Sequence, residues 1–95
     1  MNTYVEQIRP SILPILAQYG ITRAGVFGSV AKGTSHPDSD IDLLVEIRKD
    51  LSLLDFVGLK LDLEQALNRK VDLVEYDMIK PLLREQILAE QEVIL

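Results

Sequence analysis

From residue 28 the chain reads Gly28-Ser29-Val30-Ala31-Lys32-Gly33-Thr34-Ser35-His36-Pro37-Asp38-Ser39-Asp40-Ile41-Asp42-Leu43-Leu44-Val45. A glycine-hinged polar loop runs into two aspartates, two residues apart, in an apolar strand. Strand side chains alternate between faces, so Asp40 and Asp42 point the same way while Ile41, Leu43 and Val45 take the other. Two carboxylates side by side repel, and burying them unpaired among apolar neighbours is costly. A divalent cation answers both problems. Carboxylate oxygens are the hard ligands Mg²⁺ prefers, and phosphate oxygens complete its shell. The segment therefore reads as a nucleotide site joined to a metal site.

Three other readings of the same residues are weaker. A solvated edge strand explains an acidic pair, but Asp is disfavoured in strands and these two are enclosed by Ile41, Leu43, Leu44 and Val45. Asp38, Asp40 and Asp42 match the first ligand positions of a calcium loop. Leu43 then stands where that loop needs Gly, and Lys49 where it needs Glu. Gly28 and Gly33 have the spacing of a phosphate-binding P-loop, yet Thr34 occupies the position of its lysine.

Ninety-five residues suffice for one small domain, spanning 1–95. Hydrophobic residues make up 47% and charged residues 26%, which is the balance of a folded chain with apolar surface to spare. No apolar stretch reaches the ~20 residues that span a bilayer, and Met1 to Arg9 lacks the apolar core of a signal peptide. With no cysteine in the chain, a cytoplasmic location is expected. The net charge of −5 and the scattered aromatics, Tyr4, Tyr19, Phe27, Phe56 and Tyr76, argue against direct binding of nucleic acid.

Along the chain, Tyr4, Val5 and Ile8 predict a short helix ended by Pro10, and a second helix capped by Ser11 runs to about Gly20. Thr22 to Phe27 reads as a strand, Val30 to Ser39 as a loop holding one helical turn, and Asp40 to Ile47 as a second strand. Asp50 or Ser52 caps a helix reaching about Leu67. Its apolar residues cover more than one stripe, so a partner or a second copy of the chain could cover what the core does not. Val71 to Glu75 is a third strand, Asp77 the N-cap of a last helix, and Val93 to Leu95 a short edge strand. Helices interleaved with strands predict a small two-layer α/β (α+β) domain with helices on one side of the sheet.

Phe27-Gly28-Ser29, ten intervening residues and Asp40-Ile41-Asp42-Leu43 resemble the signature of the DNA polymerase β-like nucleotidyltransferases. Val71-Asp72-Leu73-Val74 supplies the third carboxylate that such proteins carry on a neighbouring strand. The short chain is similar to the minimal nucleotidyltransferases (MNT) that partner HEPN-domain proteins in toxin–antitoxin pairs. The resemblance implies a mixed sheet, with Asp40, Asp42 and Asp72 as catalytic residues and as ligands of two Mg²⁺ ions about 3.5 to 4 Å apart. It implies that Gly28 lets the backbone approach the phosphates of ATP, the expected donor, and that Ser29 binds their oxygens. Asp72 would accept or orient the acceptor hydroxyl, or it is simply paired with Arg69 or Lys70. Lys32 is either a phosphate contact or a loop lysine. Ser39 shapes the turn with Asp38 or orients the metal site, and His36 reads as a solvated turn residue. The implied activity is transfer of AMP to a tyrosine of the HEPN toxin, an RNase, which silences it. Two alternatives stand beside it: an antitoxin acting by binding alone, and nucleotidyl transfer to a small molecule.

Overall fold

A computed structural model describes residues 3–34, 36, 39–48 and 50–95. Its elements are α1 (Thr3–Gln18), β1 (Ala24–Phe27), α2 (Gly28–Lys32), β2 (Ile41–Val45), α3 (Leu53–Leu67), β3 (Val71–Glu75), a 3₁₀ turn (Tyr76–Met78), α4 (Pro81–Glu90) and β4 (Glu92–Val93). The strands form one mixed sheet in the order β3-β2-β1-β4. β2 runs parallel to β3, and β1 is antiparallel to both β2 and β4.

The alternation of β2 divides the molecule into two layers of packing. Ile41, Leu43 and Val45 join Ala24, Val26 and Val71 on one sheet face, against Val5, Ile8, Ile12 and Leu16 of α1 and Leu59 and Leu63 of α3. The two long helices thus lie on one side, but the expectation that all helices do is corrected by α4, which packs on the other face. Leu44 points to the other face, where Tyr76 and Ile79 bury with it and Phe27, Val74, Ile87 and Leu88 pack around them. The last helix therefore covers part of the second face, and the remainder of that face carries Asp42 and Asp72.

Two expectations about helix ends fail for identifiable reasons. The predicted break at Pro10 does not occur, since α1 is continuous through Pro10 and Pro14. Its buried residues recur at 5, 8, 12 and 16, while both prolines face solvent. Water can satisfy the carbonyls that lose a donor there, and burial of four apolar side chains offsets the ~3 kcal/mol cost of an interior proline. Asp77 is not an N-cap either; it lies in the 3₁₀ turn, and α4 begins with Pro81 at its first position after Lys80. Proline at that position has a preset φ and needs no N–H partner, so it fixes the start.

Between Asp50 and Ser52 as caps of α3, the structure selects Ser52. Its hydroxyl accepts from the Asp55 N–H at 3.1 Å and the Asp55 carboxylate accepts from the Ser52 N–H at 3.2 Å, a reciprocal capping box. The surplus apolar surface of this helix is real. Leu53, Leu54, Val57 and Leu61 remain exposed on the face turned away from Leu59 and Leu63.

Candidate active site

Strand register brings two of the three aspartates together. In the parallel β2–β3 pair Asp42 lies directly beside Asp72, and in the antiparallel β1–β2 pair Asp42 faces Phe27, the residue before Gly28. Asp40 precedes β2 by one residue and is exposed. Asp72 is also exposed, on a strand that forms the sheet edge, while Asp42 is half-buried between its neighbours. Burial first, and then the carboxylates of Asp72 and Asp40, push the Asp42 pKa above the ordinary carboxylate range. Asp42 therefore feels both of its acidic neighbours electrostatically.

Gly28 completes the enclosure. Its φ is +72°, a left-handed value that disfavours any side chain, and a Cβ placed on it would collide with the Asp42 carboxylate. The bare backbone at the start of α2 thus lies directly against the most enclosed of the three acids. Fully buried Val30 anchors α2 in the core, and Gly33, also left-handed at φ 75°, ends it. Among the described residues no side chain caps the start of α2. The Ser29 carbonyl accepts from the Thr34 N–H at 3.0 Å, whereas its hydroxyl has no hydrogen-bond partner among the described residues.

Other predicted residues are engaged elsewhere. Lys32 reaches Glu90 of α4 at 3.5 Å, which favours the loop-lysine reading. Ser39 shapes the turn, its hydroxyl accepting from the His36 N–H at 3.0 Å and its own N–H donating to the His36 carbonyl at 2.9 Å. Asp38 lies outside the described residues. The alternative of a merely salt-bridged Asp72 does not hold: among the described residues no ion pair joins it to Arg69 or Lys70.

Arg69 instead donates from Nε and Nη2 to the Ser39 carbonyl, at 3.0 and 2.6 Å, and from Nη2 to the His36 carbonyl at 3.0 Å. Sequence reasoning offered it only as a possible ion-pair partner of Asp72. Its place just before the strand carrying Asp72 was the available signal. The Glu64 carboxylate accepts from the Val71 N–H at 2.9 Å and fixes the start of the same strand.

The donor set suits a hard cation: carboxylate oxygens only, one raised in pKa by burial and by the others, facing bare glycine backbone. Among the described residues, however, no three His, Cys, Asp or Glu side chains are gathered closely enough to hold an ion as they stand. Among the described residues, two open depressions follow the groove between α1 and α3, lined by residues including Gln18, Tyr19, Arg48 and Asp62, and neither of these includes Gly28, Ser29 or the aspartates at 40, 42 and 72. Among the described residues no helix is long and apolar enough to cross a membrane.

Comparison with known proteins agrees with this geometry. The family described as Polymerase beta, Nucleotidyltransferase matches residues 11–95. A Methanocaldococcus jannaschii protein named "Putative protein adenylyltransferase" is 45% identical over 86 residues, 90% of this chain and 92% of its own. The protein adenylyltransferase MntA of Thermococcus cleftensis is 38% identical over 73 residues, 77% of this chain and 74% of its own. Among solved structures, one described as a "putative minimal nucleotidyltransferase" superposes with a TM-score of 0.81 at 43% identity, over 94% of this chain and 91% of the other. A toxin–antitoxin crystallised with AMP-PNP superposes at 0.77 with 27% identity, over 92% of this chain and 72% of the other. With Asp42 and Asp72 paired across β2 and β3 and a match reaching from α1 to the C-terminus, the chain belongs to the polymerase beta nucleotidyltransferase family.

Proposed function

We propose that this nucleotidyltransferase is a Mg²⁺-dependent protein adenylyltransferase. It moves AMP from ATP to a tyrosine of a HEPN-domain RNase toxin and so acts as the antitoxin, in the cytoplasm. The observation that carries the reading is the register of Asp42 beside Asp72, with the Gly28 backbone against Asp42. The protein adenylyltransferase name of the archaeal relatives and the AMP-PNP of the toxin–antitoxin neighbour support the donor and the partner class.

In this reading Gly28 admits the triphosphate close to the backbone, and the Ser29 hydroxyl donates to a phosphate oxygen. Asp40, Asp42 and Asp72 would hold two Mg²⁺ ions, which would supply charge neutralisation at the triphosphate and ease deprotonation of the acceptor hydroxyl. Asp72 orients that hydroxyl and accepts its proton. The hydroxyl oxygen forms a bond to the α-phosphorus, the bond from that phosphorus to the α–β bridging oxygen breaks, and its electron pair leaves with pyrophosphate. An edge-strand position for Asp72 suits an acceptor presented by another protein, because among the described residues no strand of the sheet lies beyond β3.

Incubation with Mg²⁺, the protein encoded beside this chain, and ATP labelled at either the α- or the γ-phosphate tests the reading. Label from the α position alone, on a tyrosine, is the expected result. Label from the γ position would indicate a kinase, and no label despite a stable complex would indicate inhibition by binding.

A further inference from the structure

The turn that delivers Asp72 also fixes the backbone on both sides of Asp40. On one side Arg69 grips the Ser39 carbonyl with two donors, at 2.6 and 3.0 Å, and reaches the His36 carbonyl at 3.0 Å. The Ser39 carbonyl belongs to the same peptide plane as the Asp40 nitrogen, so holding it limits how Asp40 can rotate. On the other side the Ile41 N–H donates to the Lys70 carbonyl at 2.9 Å. Both anchors come from consecutive residues, Arg69 and Lys70, which lead directly into the strand that carries Asp72. The guanidinium also lies over the Tyr4 ring of α1, 5.2 Å from its centroid, which limits the swing of the arginine itself.

We propose that Arg69 is a positioning residue that sets Asp40 relative to Asp42 and Asp72 through the backbone at His36 and Ser39. The proposal rests on the reading of Asp40 as a cation ligand. Among the described residues the hydrogen bonds of Arg69 go to backbone carbonyls and not to aspartate carboxylates. Its planar fork matches two carbonyls at once, which the single ammonium of a lysine cannot reproduce. Without it Asp40 would have to be ordered by the cation itself, at the expense of affinity.

The test uses the full chain as wild type, Arg69→Gln, Arg69→Lys and Asp40→Asn. Mn²⁺ alone is the probe, its binding followed by electron paramagnetic resonance in the absence of nucleotide, together with kcat and KM for ATP in the transfer assay. Arg69→Gln is expected to weaken Mn²⁺ binding about tenfold or more, the usual cost of losing a group that orients a ligand, and to lower kcat without raising the ATP KM. Arg69→Lys should follow it, and it carries the test if the glutamine variant fails to fold. Full recovery with lysine would overturn the geometric argument. Wild-type Mn²⁺ affinity in Arg69→Gln, or a raised ATP KM with that affinity intact, would overturn the proposal outright. Asp40→Asn separates the two claims: if it binds Mn²⁺ as the wild type does, the reading of Asp40 is at fault, not the role of Arg69.

Discussion

Replacing Asp42 by asparagine should make the ion-free protein more stable while ending its activity. The carboxyl is half-buried, and desolvation followed by the charges of Asp72 and Asp40 raises its pKa. A raised pKa means that the folded chain holds the proton more tightly than the unfolded one. The associated stability is complete below the ordinary carboxylate range, about pH 4, and is lost as pH rises through the raised value. At neutral pH the ionised Asp42 therefore destabilises the fold. Side chains on adjacent strands stand about 5 Å apart, where two unit charges repel by about 0.8 kcal/mol at the dielectric of water and about 3 kcal/mol at an effective dielectric of 20. Exposure of Asp72 places the pair near the lower figure. Asp42→Asn should then gain about 1 kcal/mol without divalent ions, a rise in Tm of about 4–8 °C for a domain of this size. Mg²⁺ at ten times its Kd stabilises a one-site protein by about 1.4 kcal/mol, and the variant should lose most of that increment. Thermal unfolding of both proteins with EDTA and with Mg²⁺, from pH 4 to pH 8, measures each quantity. An Asp42→Asn variant no more stable than wild type in EDTA, or stabilised equally by Mg²⁺, would refute the reasoning.

Further substitutions probe other parts of the account. Gly28→Ala places a methyl group against the Asp42 carboxylate at a φ of +72°, so it should cost about 1–2 kcal/mol in denaturant unfolding and abolish transfer. Leu63→Ala empties a fully buried site between α1 and α3 and should cost about 2–5 kcal/mol by the same measurement. Lys32→Ala removes a partly exposed pair with Glu90 and should change stability by less than about 1 kcal/mol; an unchanged KM for ATP is expected, and a raised one would restore the phosphate-contact reading.

The pattern of the candidate site was legible because its signal is local and periodic. Alternation alone put Asp40 and Asp42 on the face opposite Ile41 and Leu43, and the strand around Asp72 was recognisable from its own flanking residues. The pairing of Asp42 with Asp72, by contrast, depends on a parallel register closed through the whole of α3, which no local pattern encodes. Arg69 was missed for the same reason, since its carbonyl partners lie 30 and 33 residues away in sequence. The prolines of α1 misled because their cost is local while the compensation is tertiary. The buried series Val5, Ile8, Ile12, Leu16 runs straight through them, and both rings project to solvent. The covering of the second sheet face escaped notice because α4 buries no residue fully, and it contributes Ile87 and Leu88 only as flanks of the Leu44 and Tyr76 cluster.

The central claim is that the aspartates on this sheet face transfer a nucleotide to a protein. The measurement that tests it most directly compares wild type with the Asp40→Asn, Asp42→Asn double variant, recording both label from α-labelled ATP on the partner and the partner's RNase activity. The account predicts that the folded double variant transfers no label and leaves the RNase active. Transfer by the double variant would contradict the assignment of the site, and full suppression without transfer would contradict catalysis as the means of inhibition.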